Sequence, residues 1–159
     1  MTACGDPRPS AEPDVITPPY LLVLNIALNR HAGRYWADPL WRKDLDAHLA
    51  HINQLAIACP VVTGEPPADW QAIAEAITVY PLAPMGRLAM LRAPWLAFRL
   101  WRAIGRAAIV HTGIAGWPFP LGWIAIQLAR LRGRFVVLVV ESAFWRLAPG
   151  SVASRAARW

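Results

Sequence analysis

Acidic residues almost vanish from the second half of this chain. From Ile77 onward Glu141 carries the only side-chain carboxylate, against eleven arginines, while the whole sequence has a formal net charge of +6. A half so one-sided in charge is built to face something anionic: phospholipid headgroups, a lipid-linked phosphate acceptor and a nucleotide all qualify. Nucleic acid is not expected as a partner, because the arginines are interleaved with bulky apolar residues and no reader motif is present. Lysine is scarcer still. Lys43 stands alone beside abundant Arg, Ala and Pro, a bias that points to a GC-rich coding sequence as much as to guanidinium chemistry.

Cysteine is equally sparse. Cys4 and Cys59 are far apart and in no metal or redox spacing, which argues against a disulfide framework and makes a reducing cytoplasm the default compartment. The N-terminus lacks the basic segment and following apolar run of a secretory signal. No GxxxxGK[ST] loop occurs, and Ser142 has no flanking nucleophile-elbow glycines, so P-loop and acyl-hydrolase chemistries fall away. Between Arg106 and Arg130 no side chain is charged, a length sufficient to cross a bilayer. Gly113, Gly116, Pro118, Pro120 and Gly122 crowd its centre, however, and would free backbone groups that hydrocarbon cannot satisfy.

What is present is apolar. With 159 residues and 56% hydrophobic content the chain can bury one substantial core but not two full domains. Such content fits a sheet covered on both faces, with some surface left to meet lipid or another domain. Residues 1–18, rich in Pro and small or acidic residues, read as a disordered leader; residues 19–148 form the domain and 149–159 a basic tail. Tyr20–Leu28 is apolar at all but one position and predicts a buried first strand, followed by a polar loop over Asn29–Arg34. Asp38-Pro39 predicts a helix start, with Leu45, Leu49, Ile52 and Ala56 as its buried stripe.

Ile57–Thr63 predicts the second strand, Trp70–Ala76 a short helix, and Ile77–Pro81 a third strand made edge-like by its proline. Pro94–Ala107 is helical in pattern, Ala108–Thr112 a fourth strand, Leu121–Arg132 a helix and Arg134–Val140 a fifth strand. The fold class expected is therefore α/β: a Rossmann-like, mainly parallel sheet of about five strands flanked by helices.

Several side chains stand out. His111 ends a buried strand and precedes Thr112 and Gly113, so it projects at the carboxyl edge of the sheet, where open α/β sheets bind ligands. It is a candidate catalytic residue that could hydrogen-bond a sugar or a phosphate, against the plainer reading of a histidine pinned to nearby backbone. Glu141, at the end of the fifth strand, is a candidate base, although pairing with Arg146 would also account for it. Asp44, His48 and His51 share one helix flank but match no established zinc spacing, so no metal is expected there. Arg99, Arg102 and Arg106, joined by Trp95, fall on one side of a helix at about 100° per residue. They suit an anionic membrane surface, or else form an ordinary solvated face.

The strand ending Ile109-Val110-His111-Thr112, the Gly113–Gly122 loop, the Ala125–Gly133 helix with its basic break and the Phe135–Glu141 strand together resemble the N-terminal, acceptor-side domain of retaining glycosyltransferases of the GT-B fold, family 4 type. The likeness runs loosely from Tyr20 to Leu147 and is strongest after Ala108. It implies transfer of a sugar from a nucleotide-sugar donor to a glycan acceptor, lipid-linked or polysaccharide, without a catalytic metal or other cofactor. By position His111 matches the family's histidine after the fourth strand, which contacts the donor sugar. Asn29, Arg30, Gly33 and Arg34 match the substrate loop after strand one, although the paired glycines usual there are missing. The resemblance covers one lobe. The family binds its nucleotide mainly through a second domain with a paired-glutamate motif, so this chain is expected to be inactive alone, and a cytoplasmic protein resting on the inner face of the plasma membrane is the implied setting. A noncatalytic membrane-surface or partner-binding module on the same fold is the alternative.

Overall fold

A computed structural model of the chain describes residues 15–84, 93–114 and 121–139. The chain enters through strand β1 (Tyr20–Val23), a hairpin of β2 (Leu28–His31) and β3 (Arg34–Ala37), and helix α1 (Pro39–Leu49). Strands β4 (Leu55–Thr63), β5 (Gln71–Ala72) and β6 (Thr78–Leu82) follow, then helix α2 (Ala93–Gly105), β7 (Ile109–Gly113), helix α3 (Leu121–Leu131) and β8 (Phe135–Val139). The sheet is mixed and mostly parallel, with eight strands. Its parallel body runs β6-β4-β1-β7-β8, so the first strand lies in the middle and the winding direction reverses between β1 and β7.

Alternation along β1 explains how both faces are buried. Tyr20 and Leu22 point with Leu55, Ile57 and Cys59 to a core closed by Leu45 of α1. Leu21 and Val23 point the other way, with Ala58 and Val110, under Leu96, Leu100 and Ile104 of α2 and Leu121 of α3. Ala103, Ala125 and Ala129 are almost wholly buried. Their small side chains suit close approach where α2 packs on α3. Asp38 starts α1 as expected: its carboxylate accepts from the amides of Leu40 and Trp41 at 3.0 and 3.1 Å, and Pro39 supplies the preset φ. At the far end of α2 the Gly105 carbonyl accepts from Arg134 at 3.0 Å, while Arg132 stacks on Trp101 at 3.8 Å.

Four expectations are corrected. Tyr20–Leu28 is not one strand: from Val23 to Leu28 the chain advances five residues while its partner β4 advances three, Ala58 to Val61, so two residues bulge out around exposed Asn25. Asn29–Arg34 is not a loop but the heart of the β2–β3 hairpin, closed by a two-residue turn with positive φ at Ala32 (48°) and Gly33 (78°). Trp70–Ala76 is not helical: Gln71 and Ala72 pair with β3, and Arg42 donates to the Ala72 carbonyl at 2.7 Å. A ladder and a side-chain donor satisfy that backbone, overriding a weak local helix preference. Of the stripe expected for α1, which ends at Leu49, Ile52 lies beyond the helix in a bridge with Ile16 and Ala56 belongs to β4.

The end of the expected leader is also engaged. Ile16 bridges Ile52, donating to His51 and accepting from Asn53, which ties residues just before β1 to the turn after α1. Pro81 sits in β6, which among the described residues pairs with β4 alone, so the missing ladder donor costs nothing on its outer side.

Candidate functional site

The winding reverses between β1 and β7, and at their carboxyl ends residues of α1 stand on one side of the sheet. The result is a cleft of about 340 Å³ lined by Leu22, Leu24, Trp41, Asp44, His48, His111, Thr112 and Gly113 among others. His111 stands opposite Leu22 in the ladder and therefore points to the α1 side, half-buried. Its Nδ1 lies 2.9 Å from the hydroxyl of Tyr20. Burial pushes the Tyr20 phenol up, so it keeps its proton, and no other acceptor for it exists among the described residues. The distance suits donation from the Tyr20 hydroxyl to Nδ1. With that donation the imidazole carries its proton on Nε2, as a donor.

The second ring of the cleft comes from the helix. His48 Nδ1 lies 2.8 Å from the Asp44 carbonyl and 3.5 Å from its carboxylate Oδ2, and the His48 ring lies 5.9 Å from that of His111. Burial holds the His111 pKa below its ordinary value, a protonated His48 would push it lower, and Asp44 opposes both. A neutral imidazole at neutral pH follows. It suits hydrogen bonding to hydroxyls and carbonyls better than electrostatic capture of an anion.

Thr112 is buried on the opposite face and donates to the Val23 carbonyl at 3.2 Å, bracing β7 against β1 at the cleft floor. Gly113 meets the first turn of α3, where a Cβ on Gly122 would overlap the Gly113 carbonyl oxygen. Asn29, Arg30, Gly33 and Arg34 do not line this cleft. Asn29 is buried and donates to the Glu65 carbonyl at 3.4 Å, Arg30 lies over Tyr35 at 5.9 Å, and Arg34 pairs with Glu75 at 2.7 Å. Of the flank Asp44–His48–His51, the first two enter the cleft, whereas His51 lies beyond the end of α1, exposed in the turn to β4. Glu141 and Ser142 lie outside the described residues.

Trp95, Arg99, Arg102 and Arg106 come together elsewhere. With Tyr80 and Phe98 they line a groove of about 390 Å³ between β6 and α2. Arg99 stacks over Trp95 at 4.4 Å, Arg102 over Phe98 at 6.0 Å and Arg106 over Tyr80 at 6.0 Å. Among the described residues no helix is long and apolar enough to cross a membrane; the uncharged stretch after Arg106 is interrupted by β7 before α3 begins.

Sequence reasoning missed Tyr20, Trp41, Tyr80 and Phe98. The spacing of Asp44 and His48 was visible, but nothing local said that their flank would face the end of a strand some sixty residues on. No family model, no curated protein and no solved structure matches the chain.

Proposed function

We propose that this domain is Rossmann-like and serves as the acceptor-side lobe of a two-lobed glycosyltransferase, working with a nucleotide-binding lobe to move a sugar from a nucleotide-sugar donor to a glycan acceptor. One observation carries the reading: a half-buried histidine, its Nδ1 2.9 Å from the Tyr20 hydroxyl, stands in an open cleft at the point where the parallel sheet reverses its winding. The order β6-β4-β1-β7-β8 supports it, since ligands of such sheets bind outside the carboxyl ends of the strands at that reversal.

In this reading His111 offers its Nε2 proton to a hydroxyl or ring substituent of the transferred sugar, orienting it as the bond to the leaving phosphate lengthens. Trp41 and Leu40 give the cleft an apolar wall of the kind that sugar rings stack on. No metal enters the reading. Leaving-group charge falls to the companion lobe in this reading, because among the described residues no lysine or arginine lines the cleft. Cytoplasmic residence goes with this chemistry, and the buried thiol of Cys59, pushed up to about 12 by its burial, is unreactive in any compartment.

The test is calorimetric titration of the full chain with a panel of oligosaccharides and nucleotide sugars, in wild type and His111→Ala. Binding of at least one sugar-bearing ligand, weakened tenfold or more by the substitution, is expected. Binding that ignores His111, or none across the panel, contradicts the reading.

A further inference from the structure

The groove between β6 and α2 takes no part in that chemistry. Arg99, Arg102 and Arg106 recur at i, i+3 and i+7 along one wall, all exposed, and none forms an ion pair among the described residues. Each guanidinium lies over an aromatic ring, so the fork of donors is held in place without a carboxylate to neutralise it. On the same helix Trp95 and Phe98 remain 45% and 57% exposed. Three cations facing one groove are a phosphate-recognising surface. Two large exposed aromatics at its rim are not what a soluble phosphate needs, but are what the interfacial zone of a bilayer takes up.

We propose that this groove seats the phosphate of an anionic phospholipid, with Trp95 and Phe98 entering the headgroup boundary, and so holds the lobe on a membrane surface. Pro81 and Leu82, at the carboxyl end of β6, line the groove beside Trp95. The groove runs along the α2 face of the sheet from Pro81 and Leu82 toward Arg106, whereas His111 points to the opposite, α1 face. The docking itself rests on the groove alone and stands or falls independently of sugar binding at His111.

The experiment is cosedimentation of the full chain with vesicles of phosphatidylcholine alone or mixed with phosphatidylglycerol, across a salt series. Binding to the mixed vesicles, weakening as salt rises, is expected. Arg99→Gln with Arg102→Gln should lower partitioning by about tenfold or more, and Trp95→Ala with Phe98→Ala should lower it at high salt, where the electrostatic share is screened. Arg30→Gln, an exposed arginine outside the groove, is the charge control and should leave binding within about twofold if the groove is the docking site. Equal loss in that control, binding to phosphatidylcholine alone, or no cosedimentation overturns the proposal. So does a groove whose arginine side-chain resonances respond to inorganic phosphate while vesicles fail to bind, since that would be a soluble-anion site.

Discussion

His111 gains its character from what surrounds it rather than from its own chemistry. In the unfolded chain an imidazole titrates near 6.5, whereas in the fold burial and His48 hold it lower against the pull of Asp44. The folded state then binds fewer protons than the unfolded one across that interval, so His111 contributes stability that is fully present above about pH 6.5 and is lost as pH falls through the lowered folded value. The denaturation midpoint of wild type should therefore drop between about pH 7 and about pH 5, and drop less in His111→Gln. Identical pH profiles would show that the imidazole is not desolvated. The position of His111 was legible, because a polar residue closing a run of β-branched residues before glycine belongs at a strand end. Its partner was not. Tyr20 lies ninety-one residues away in sequence, and only the register of β1 on β7 brings the phenol to Nδ1.

Elements were legible to the extent that their backbone needs are met locally. Helix α1 announces itself through Asp38-Pro39, and the cap is made as its chemistry requires. The β2–β3 turn carried no such signal: Ala32 occupies the first left-handed position, where Asn or Gly is usual, so nothing but Gly33 hinted at a hairpin. The bulge between β1 and β2 was hidden for a related reason, since an unbroken apolar run reads as one strand however its partner is registered. At α3 the decisive contact is a glycine. Gly122 lets the first helical turn rest on the Gly113 carbonyl beside Thr112, and a methyl group there must push helix and strand apart. Gly122→Ala should cost about 1–3 kcal/mol by chemical denaturation, with amide shifts concentrated in β7 and α3. A neutral effect on stability would mean that helix and cleft floor are not in contact.

At the scale of the whole molecule the two faces of the sheet are unequal. One face carries α2 and α3; the other carries α1 over β1 and β4, and no described helix covers its β7–β8 side. Phe135 and Leu131, at that end of the molecule, are 68% and 76% exposed. The five strands of the body β6-β4-β1-β7-β8 could be counted from hydrophobic runs and breakers, but neither their order nor the parallel pairing of β2 on β4 could. The antiparallel additions β3 and β5 were invisible because strands this short have no periodicity of their own. The charge asymmetry likewise predicted a basic face, while the concavity that gathers it against Tyr80 emerged only from packing β6 on α2.

The account depends on a neutral, ligand-accessible His111 where the winding of the sheet turns back. Long-range proton–nitrogen spectra of the imidazoles, recorded while an oligosaccharide or nucleotide sugar is added, test this most directly. The prediction is a His111 protonated on Nε2 and bare on Nδ1 at neutral pH, shifting with ligand while exposed His51 stays still. A His111 that is charged at neutral pH, or that no sugar ligand perturbs, would contradict it.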